Sequence, residues 1–270
     1  MEALRKADKS VAEQFVSARL KALALPEFPG TLPASLDDAY LIQDAAIDIF
    51  PDEVVGWKIG GIPPVHREKL GADKLGGPVF RKDVRYSAPG GTVEYEMYVG
   101  GFGAVEAEYM FEIGEDAPVG KTSYTTADAM GLVKRMICGI ETAGSPLATI
   151  NVVGPLAVVS DFGNNNGIII GPEVPNWRER VLSELTCETF INGKSVGTGA
   201  ASNVAGGPIE PLRFIAENCA KRGRPLKAGM IITTGAVTGI HDILPGEVAR
   251  VEFHGLGAVQ CVATPRKARL

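Results

Sequence analysis

No stretch of about eighteen consecutive apolar residues occurs in this chain, so no segment reads as a membrane-spanning helix. The first residues, Met1-Glu2-Ala3-Leu4-Arg5-Lys6, lack the hydrophobic core of a signal peptide, and the expectation is a cytoplasmic protein. Cysteine is scarce: Cys138, Cys187, Cys219 and Cys261 lie far apart and make no C-x-x-C pair. They read as reduced core thiols, neither a disulfide framework nor a zinc site. Positive charge is in deficit, with a net charge of −5. That argues against nucleic acid or an acidic membrane as partner, since phosphate binding needs clustered Lys and Arg. G-x-S-x-G, Walker and H-E-x-x-H motifs are all missing. Gly101-Phe102-Gly103-Ala104-Val105-Glu106 is no dinucleotide fingerprint, because the last glycine is absent and a strand follows.

What is present is a soluble, enzyme-sized composition: 270 residues, 45% hydrophobic and 22% charged, enough for a sizeable core. Ser10-Val11-Ala12-Glu13 reads as a capping box for a helix carrying Val11, Phe15, Ala18, Ala22 and Leu25. Ser35 caps a second helix that ends before Pro51. The first strand is Val54 to Gly60, and residues 61–92 read as loop with short extended pieces. A hairpin is expected from Thr92–Val99 and Ala104–Ile113. Thr125 caps a third helix with Ala129, Val133, Met136 and Ile137 as its stripe, followed by a strand through Glu141. Short strands then dominate from Glu184, interrupted by a helix near Pro208–Arg222, and Asn192-Gly193 marks a hairpin turn. Without repeated β-α-β alternation the expected class is α+β and β-rich. The expected organisation is an N-terminal helical segment, 1–55, packed on a catalytic β-rich domain, 56–270.

The most informative stretch is Ala104-Val105-Glu106-Ala107-Glu108-Tyr109-Met110-Phe111. In a strand Glu106 and Glu108 share a face, roughly 6–7 Å apart, while Val105, Ala107, Tyr109 and Phe111 pack on the other. Two carboxylates brought to about 4 Å at an effective dielectric of about 20 would repel by about 4 kcal/mol. A hard divalent cation would offset that, or a shared proton. Glu141, ending its own strand between glycines, would complete a Glu-x-Glu…Glu set for one cation with positions left for water and a chelating substrate. Glu94-Tyr95-Glu96 has the same spacing but sits in what reads as an exposed hairpin arm.

Lys58, within Gly56-Trp57-Lys58-Ile59-Gly60, reads as an anion-binding or proton-transfer lysine of lowered pKa, as a Schiff-base lysine, or as a snorkelling strand-end residue. Asn164, in the Gly-bracketed Asn tract 163–167, offers an amide to a polar ligand, or simply builds a turn. Thr234 and Gly235, after a buried strand, could hold a carboxylate on their backbone N–H groups. His241-Asp242 could be an acid–base pair, although neighbours in a strand face opposite ways.

Together these pieces resemble the fumarylacetoacetate hydrolase superfamily: Gly56–Gly60, Val105–Phe111, Ile140-Glu141, then Pro225–Gly235 and Pro245-Gly246-Glu247-Val248. Within it the chain looks most like the 2-keto-4-pentenoate hydratase and 4-oxalocrotonate decarboxylase branch. The resemblance implies a mixed rolled β-sheet core with N-terminal helices, and Mg²⁺ or Mn²⁺ held by Glu106, Glu108 and Glu141. It implies Lys58 facing the substrate, with Asn164, Thr234 and Gly235 as substrate contacts. It implies a small 2-oxo or 2-hydroxydienoic acid as substrate, hydration as the reaction, and a homo-oligomer.

The chain departs from the hydratase pattern in three places. Hydratases usually carry an acid shortly after a Leu-Gly-x-Asp segment, where this chain has Leu75-Gly76-Gly77-Pro78. They often have Asp-Ser-Arg after the third glutamate, here Thr142-Ala143-Gly144-Ser145-Pro146, and their usual Asp-Asn-x-Ser turn is here Gly163-Asn164-Asn165-Asn166. Decarboxylation of a 2-oxo diacid or hydrolysis of an acylpyruvate on the same metal–enolate platform stays open. So do a metal-independent Schiff-base lyase and a non-catalytic partner subunit.

Overall fold

A computed structural model describes residues 6–269. The N-terminal helices are α1 (Lys6–Lys21) and α2 (Leu36–Ile49). α2 starts as expected: Ser35 accepts from the Asp38 N–H, and Asp37 and Asp38 favour the positive end of the helix dipole. α1 differs from expectation at both ends. It is already helical at Lys6, in a run of good helix formers, so Ser10 lies inside it rather than capping it. It stops at Lys21, where Ala22 turns left-handed and the Leu23 N–H returns to the Ala18 carbonyl, a Schellman closure. Leu25 is therefore beyond the helix, bridged to Leu147.

Residues 61–92 hold the short extended pieces expected, but also a helix, and the longest stretch with neither helix nor strand is 87–92. β1 (Val54–Gly61) is followed by α3 (Pro64–Leu70), β2 (Lys74–Phe80) and β3 (Val84–Tyr86). β2 pairs antiparallel with β1 along its length, despite carrying Gly76-Gly77-Pro78. Propensity misleads there because packing demands the glycine: a Cβ on Gly77 would lie 2.0 Å from the Phe162 carbonyl oxygen.

The expected hairpin does not form. β4 (Val93–Met97) pairs in parallel with a distant C-terminal strand, while β5 (Phe102–Ile113) enters another sheet. The glycines between them mark a crossing between sheets, and Tyr95 of β4 donates its hydroxyl to the Ala143 carbonyl instead of facing solvent. The third helix, α4 (Thr126–Gly131), has the expected capping box, Thr125 with Asp128, but lasts only six residues. Val133, Met136 and Ile137 belong to β6 (Val133–Ser145). β6 has backbone partners on both sides, β5 on one and β7 (Asn165–Glu173) on the other, which outweighs a stripe that fits either period.

The remaining elements are α5 (Ile150–Val153), α6 (Pro155–Ser160), β8 (Thr186–Ile191), β9 (Lys194–Ala200), α7 (Ile209–Lys221), β10 (Ile231–Ile232), β11 (Ile240–Asp242), β12 (Val248–Phe253) and β13 (Gly257–Pro265). Asn192-Gly193 makes the tight β8–β9 turn, both residues at positive φ.

An eight-stranded mixed sheet runs β2-β1-β10-β5-β6-β7-β3, with β11 on β5. β2 at one edge comes back against β7 near the other, so the sheet rolls on itself. A five-stranded sheet, β4-β13-β12-β8-β9, packs beside it. The fold is α+β and β-rich, with a mixed rolled sheet. Val11, Phe15, Ile42 and Ala46 of the N-terminal helices share one apolar cluster with Trp57, Val105 and Tyr109.

Candidate metal centre

Antiparallel register brings the carboxylates together. Glu106 on β5 lies opposite Glu141 on β6, and Glu108 follows two residues on, along the same face. The other face of β5 presents Val105, Ala107, Tyr109 and Phe111 to the main core. Glu106 is 5% exposed and Glu108 and Glu141 are 0% exposed, and one oxygen from each lies within 4.8 Å of the others. Among the described residues this is the one such cluster of potential ligands. Glu94 and Glu96, on β4, take no part in it; Glu96 pairs with Arg269 at 3.0 Å.

The two oxygens of Glu108, and the two of Glu141, differ in their partners. Glu108 Oε2 accepts from the backbone N–H groups of Thr234, at 2.6 Å, and Gly235, at 2.8 Å. Glu141 Oε1 accepts from Asn165 Nδ2 at 3.1 Å and lies 3.4 Å from Lys58 Nζ. Glu108 Oε1 and Glu141 Oε2 are buried with no partner. An unmet buried acceptor costs about 1–3 kcal/mol, more if charged. Two unpartnered carboxylate oxygens on residues of one acidic cluster suit a hard divalent cation, which prefers oxygen donors.

The three carboxylates and Lys58 act on one another electrostatically. Burial first, then repulsion from Glu141, pushes Glu106 up to about 8, against the pull of Lys58. Burial, Glu141 and Glu106 likewise drive Glu108 well above the ordinary carboxylate range. At Lys58 burial opposes the charge, but the fields of Glu141, Glu106 and Glu108 win and hold the ammonium above its ordinary value. This corrects the expectation of a lysine lowered by burial. Nor does Lys58 snorkel: it is 5% exposed on β1.

Lys58, Glu106, Asn164, Thr234 and Gly235 all line one cavity of about 540 Å³. Its wall also carries Arg67, Leu75, Phe102, Val158 and Asp242. Asn164 is 5% exposed and its Oδ1 has no partner. The Thr234 and Gly235 N–H groups hold a carboxylate, but it is that of Glu108 rather than a ligand's. His241 and Asp242 do not form a pair: Nε2 of His241 lies 3.1 Å from Thr238 Oγ1, while Asp242 lines the cavity.

The sequence reading missed Asn165, a neighbour of the residue it chose, and missed Arg19 altogether. Arg19 is 4% exposed, with Nε on Asp161 Oδ1 and Nη1 on the Asn165 carbonyl. A signal existed, because Arg19 sits four residues after Phe15 and three before Ala22, on the apolar face of α1.

Comparison with known proteins gives the family and the fold. The fumarylacetoacetate (FAA) hydrolase C-terminal pattern matches residues 122–263, just over half of the chain. The chain belongs to the fumarylacetoacetate hydrolase family. It is 26% identical over 229 residues to a 2-keto-4-pentenoate hydratase of Paraburkholderia xenovorans (strain LB400), covering 84% of this chain and 83% of the relative. It is 26% identical over 256 residues to a 4-oxalocrotonate decarboxylase of Pseudomonas putida, covering 93% and 94%. The fold superposes on the 4-oxalocrotonate decarboxylase from Pseudomonas putida G7 complexed with magnesium and adipate, with a TM-score of 0.79, 24% identity and coverage of 97% and 98%.

Proposed function

We propose that this protein is a divalent-metal-dependent hydratase of the 2-keto-4-pentenoate type, converting a 2-hydroxy-2,4-dienoate to a 4-hydroxy-2-oxo acid. The observation that carries the reading is the buried triad of Glu106, Glu108 and Glu141, two of its oxygens unpartnered, beside Lys58 at a large cavity. The three glutamates would hold Mg²⁺ or Mn²⁺. Bound there, the ion would stabilise negative charge developing at the C2 oxygen of the substrate.

The remaining work falls to the chain's own groups. Lys58, held protonated, offers positive charge to the substrate carboxylate. The Thr234 and Gly235 N–H groups fix Glu108 so that its other oxygen stays free. The Asn164 amide, on the cavity wall with its Oδ1 unpartnered, would meet a ligand hydroxyl or water. In the overall change the enol proton leaves, C5 is protonated, and a C2 ketone conjugated to C3=C4 results. Water then adds, with hydroxyl at C4 and hydrogen at C3. Leu75, Phe102 and Val158 give the cavity an apolar wall against which the diene would pack.

A second reading, decarboxylation of a 2-oxo diacid of the 4-oxalocrotonate type, is favoured by the longer alignment with the Pseudomonas putida decarboxylase. The test is loss of the ultraviolet absorbance of 2-hydroxypenta-2,4-dienoate with Mg²⁺ or Mn²⁺ and with EDTA, alongside CO₂ release from the diacid. Metal-dependent loss giving a product heavier by one water supports the hydratase. CO₂ release with an inert dienoate would replace it by the second reading.

A further inference from the structure

The turn leading into β7 is backbone of an unusual kind. Phe162, Gly163 and Asn164 carry φ angles of 54°, 66° and 60°, a left-handed run that includes a bulky aromatic residue. Such a residue keeps positive φ only where its surroundings dictate it. Here they come from three directions. Gly77 of β2 makes room for the Phe162 carbonyl. Ser145 Oγ donates to Asp161 Oδ2 at 2.6 Å. The third is the buried guanidinium of Arg19. Besides bonding Asp161 Oδ1, it donates to the Asp161 carbonyl at 3.2 Å, before the turn, and to the Asn165 carbonyl at 2.9 Å, after it. It also donates to the Gly144 carbonyl at 3.1 Å, three residues beyond Glu141 on β6, and lies 5.1 Å from the Phe162 ring centroid.

What leaves this clamp is Asn165. Its Oδ1 accepts the Gly167 N–H at 3.0 Å, which orients the amide so that Nδ2 points at Glu141 Oε1. With Oε1 held, Oε2 is the oxygen left unpartnered. We propose that Arg19, which does not line the cavity, is a positioning residue for the metal site: it fixes the left-handed turn 162–164 and, through Asn165, the Glu141 carboxylate. The inference rests on the reading that the triad takes up a divalent cation. It makes a residue of the N-terminal helix part of the support of a centre built on β5 and β6.

The experiment is calorimetric titration of Mn²⁺ and of Mg²⁺ into the EDTA-stripped full chain, with thermal unfolding in EDTA recorded separately. Arg19→Lys keeps a cation opposite Asp161 but cannot reach both carbonyls that flank the turn. It and Asn165→Ala should each weaken metal binding by about 10–100-fold, the loss typical of a group that orients a metal ligand. The double variant should be no weaker than the worse single, because both act along one path. A merely structural Arg19 would lower the unfolding temperature and leave the affinity of the folded protein alone. Wild-type affinity in folded Arg19→Lys, or additive losses in the double variant, would overturn the inference by itself. Should Arg19→Lys not fold, Asp161→Asn loosens the same clamp, and wild-type affinity there overturns it equally. Failure of the wild-type protein to bind either metal would overturn both the inference and the reading beneath it.

Discussion

Glu106 and Glu108 are acids placed where acids are costly, and the cost is offset unevenly. Glu108 has two backbone N–H groups on one oxygen and none on the other, whereas Glu106 has the field of Lys58. Glu108→Gln keeps an oxygen for the Thr234 and Gly235 N–H groups, so it should fold normally yet lose detectable Mg²⁺ binding by calorimetry. Binding at wild-type strength would remove the triad as the metal site. The pH dependence has a definite sign. The folded value of Glu106, about 8, lies above its ordinary value of 4.5, so protonated Glu106 favours the metal-free fold. That contribution is full below the ordinary value and is lost as pH rises through about 8. In EDTA the unfolding temperature should therefore fall across this window. Mg²⁺ binding should strengthen over the same range and release protons, because the ion needs ionised ligands. A metal affinity flat from acid to about pH 8 would contradict this.

At the scale of elements, β2 and β6 show how pairing overrules local preference. β2 is a poor strand by composition, yet it follows β1 because its glycines let the turn at Phe162 approach. Gly77→Ala would push a methyl into the Phe162 carbonyl, with backbone on both sides and little freedom to give. Overpacking of that kind costs about 1–3 kcal/mol, a fall of roughly 2–5 °C in unfolding temperature for a chain of this size. Scanning calorimetry of the variant measures it, and an unchanged transition would show that the turn yields easily. Where an element carries its own stop and start signals, sequence and structure agree: Ser35 begins α2, Thr125 begins α4, and Asn192-Gly193 turns β8 into β9.

For the whole molecule, the candidate centre gathers β1, β5, β6, the start of β7 and the segment after β10, which are spread along the chain. A cation bound there only in the folded state stabilises all of them at once. At about 100 times its dissociation constant, Mg²⁺ should add about 2.7 kcal/mol to the unfolding free energy, reversed by EDTA. Thermal unfolding with and without the ion tests this, and no shift at saturating Mg²⁺ would count against a site shared among these elements. The described residues contain no helix long and apolar enough to cross a membrane, in keeping with the absence of a long apolar run in the sequence.

The chain's own pattern nominated Glu106, Glu108, Glu141 and Lys58, because acids and a lysine in apolar runs conflict with burial wherever they fold, but it took the family resemblance to prefer them over Glu94 and Glu96. The pattern was enough for the β-rich class and for the helix starts whose caps are local. Tertiary structure alone decided that β4 leaves its neighbour for another sheet, that Val133–Ile137 extend rather than coil, and that Thr234 and Gly235 serve Glu108. It also decided that Arg19, 142 residues from Asp161, reaches that partner. Spacing along a chain encodes which side chains share a face. Which faces meet depends on partners distant in sequence, and no local preference records them.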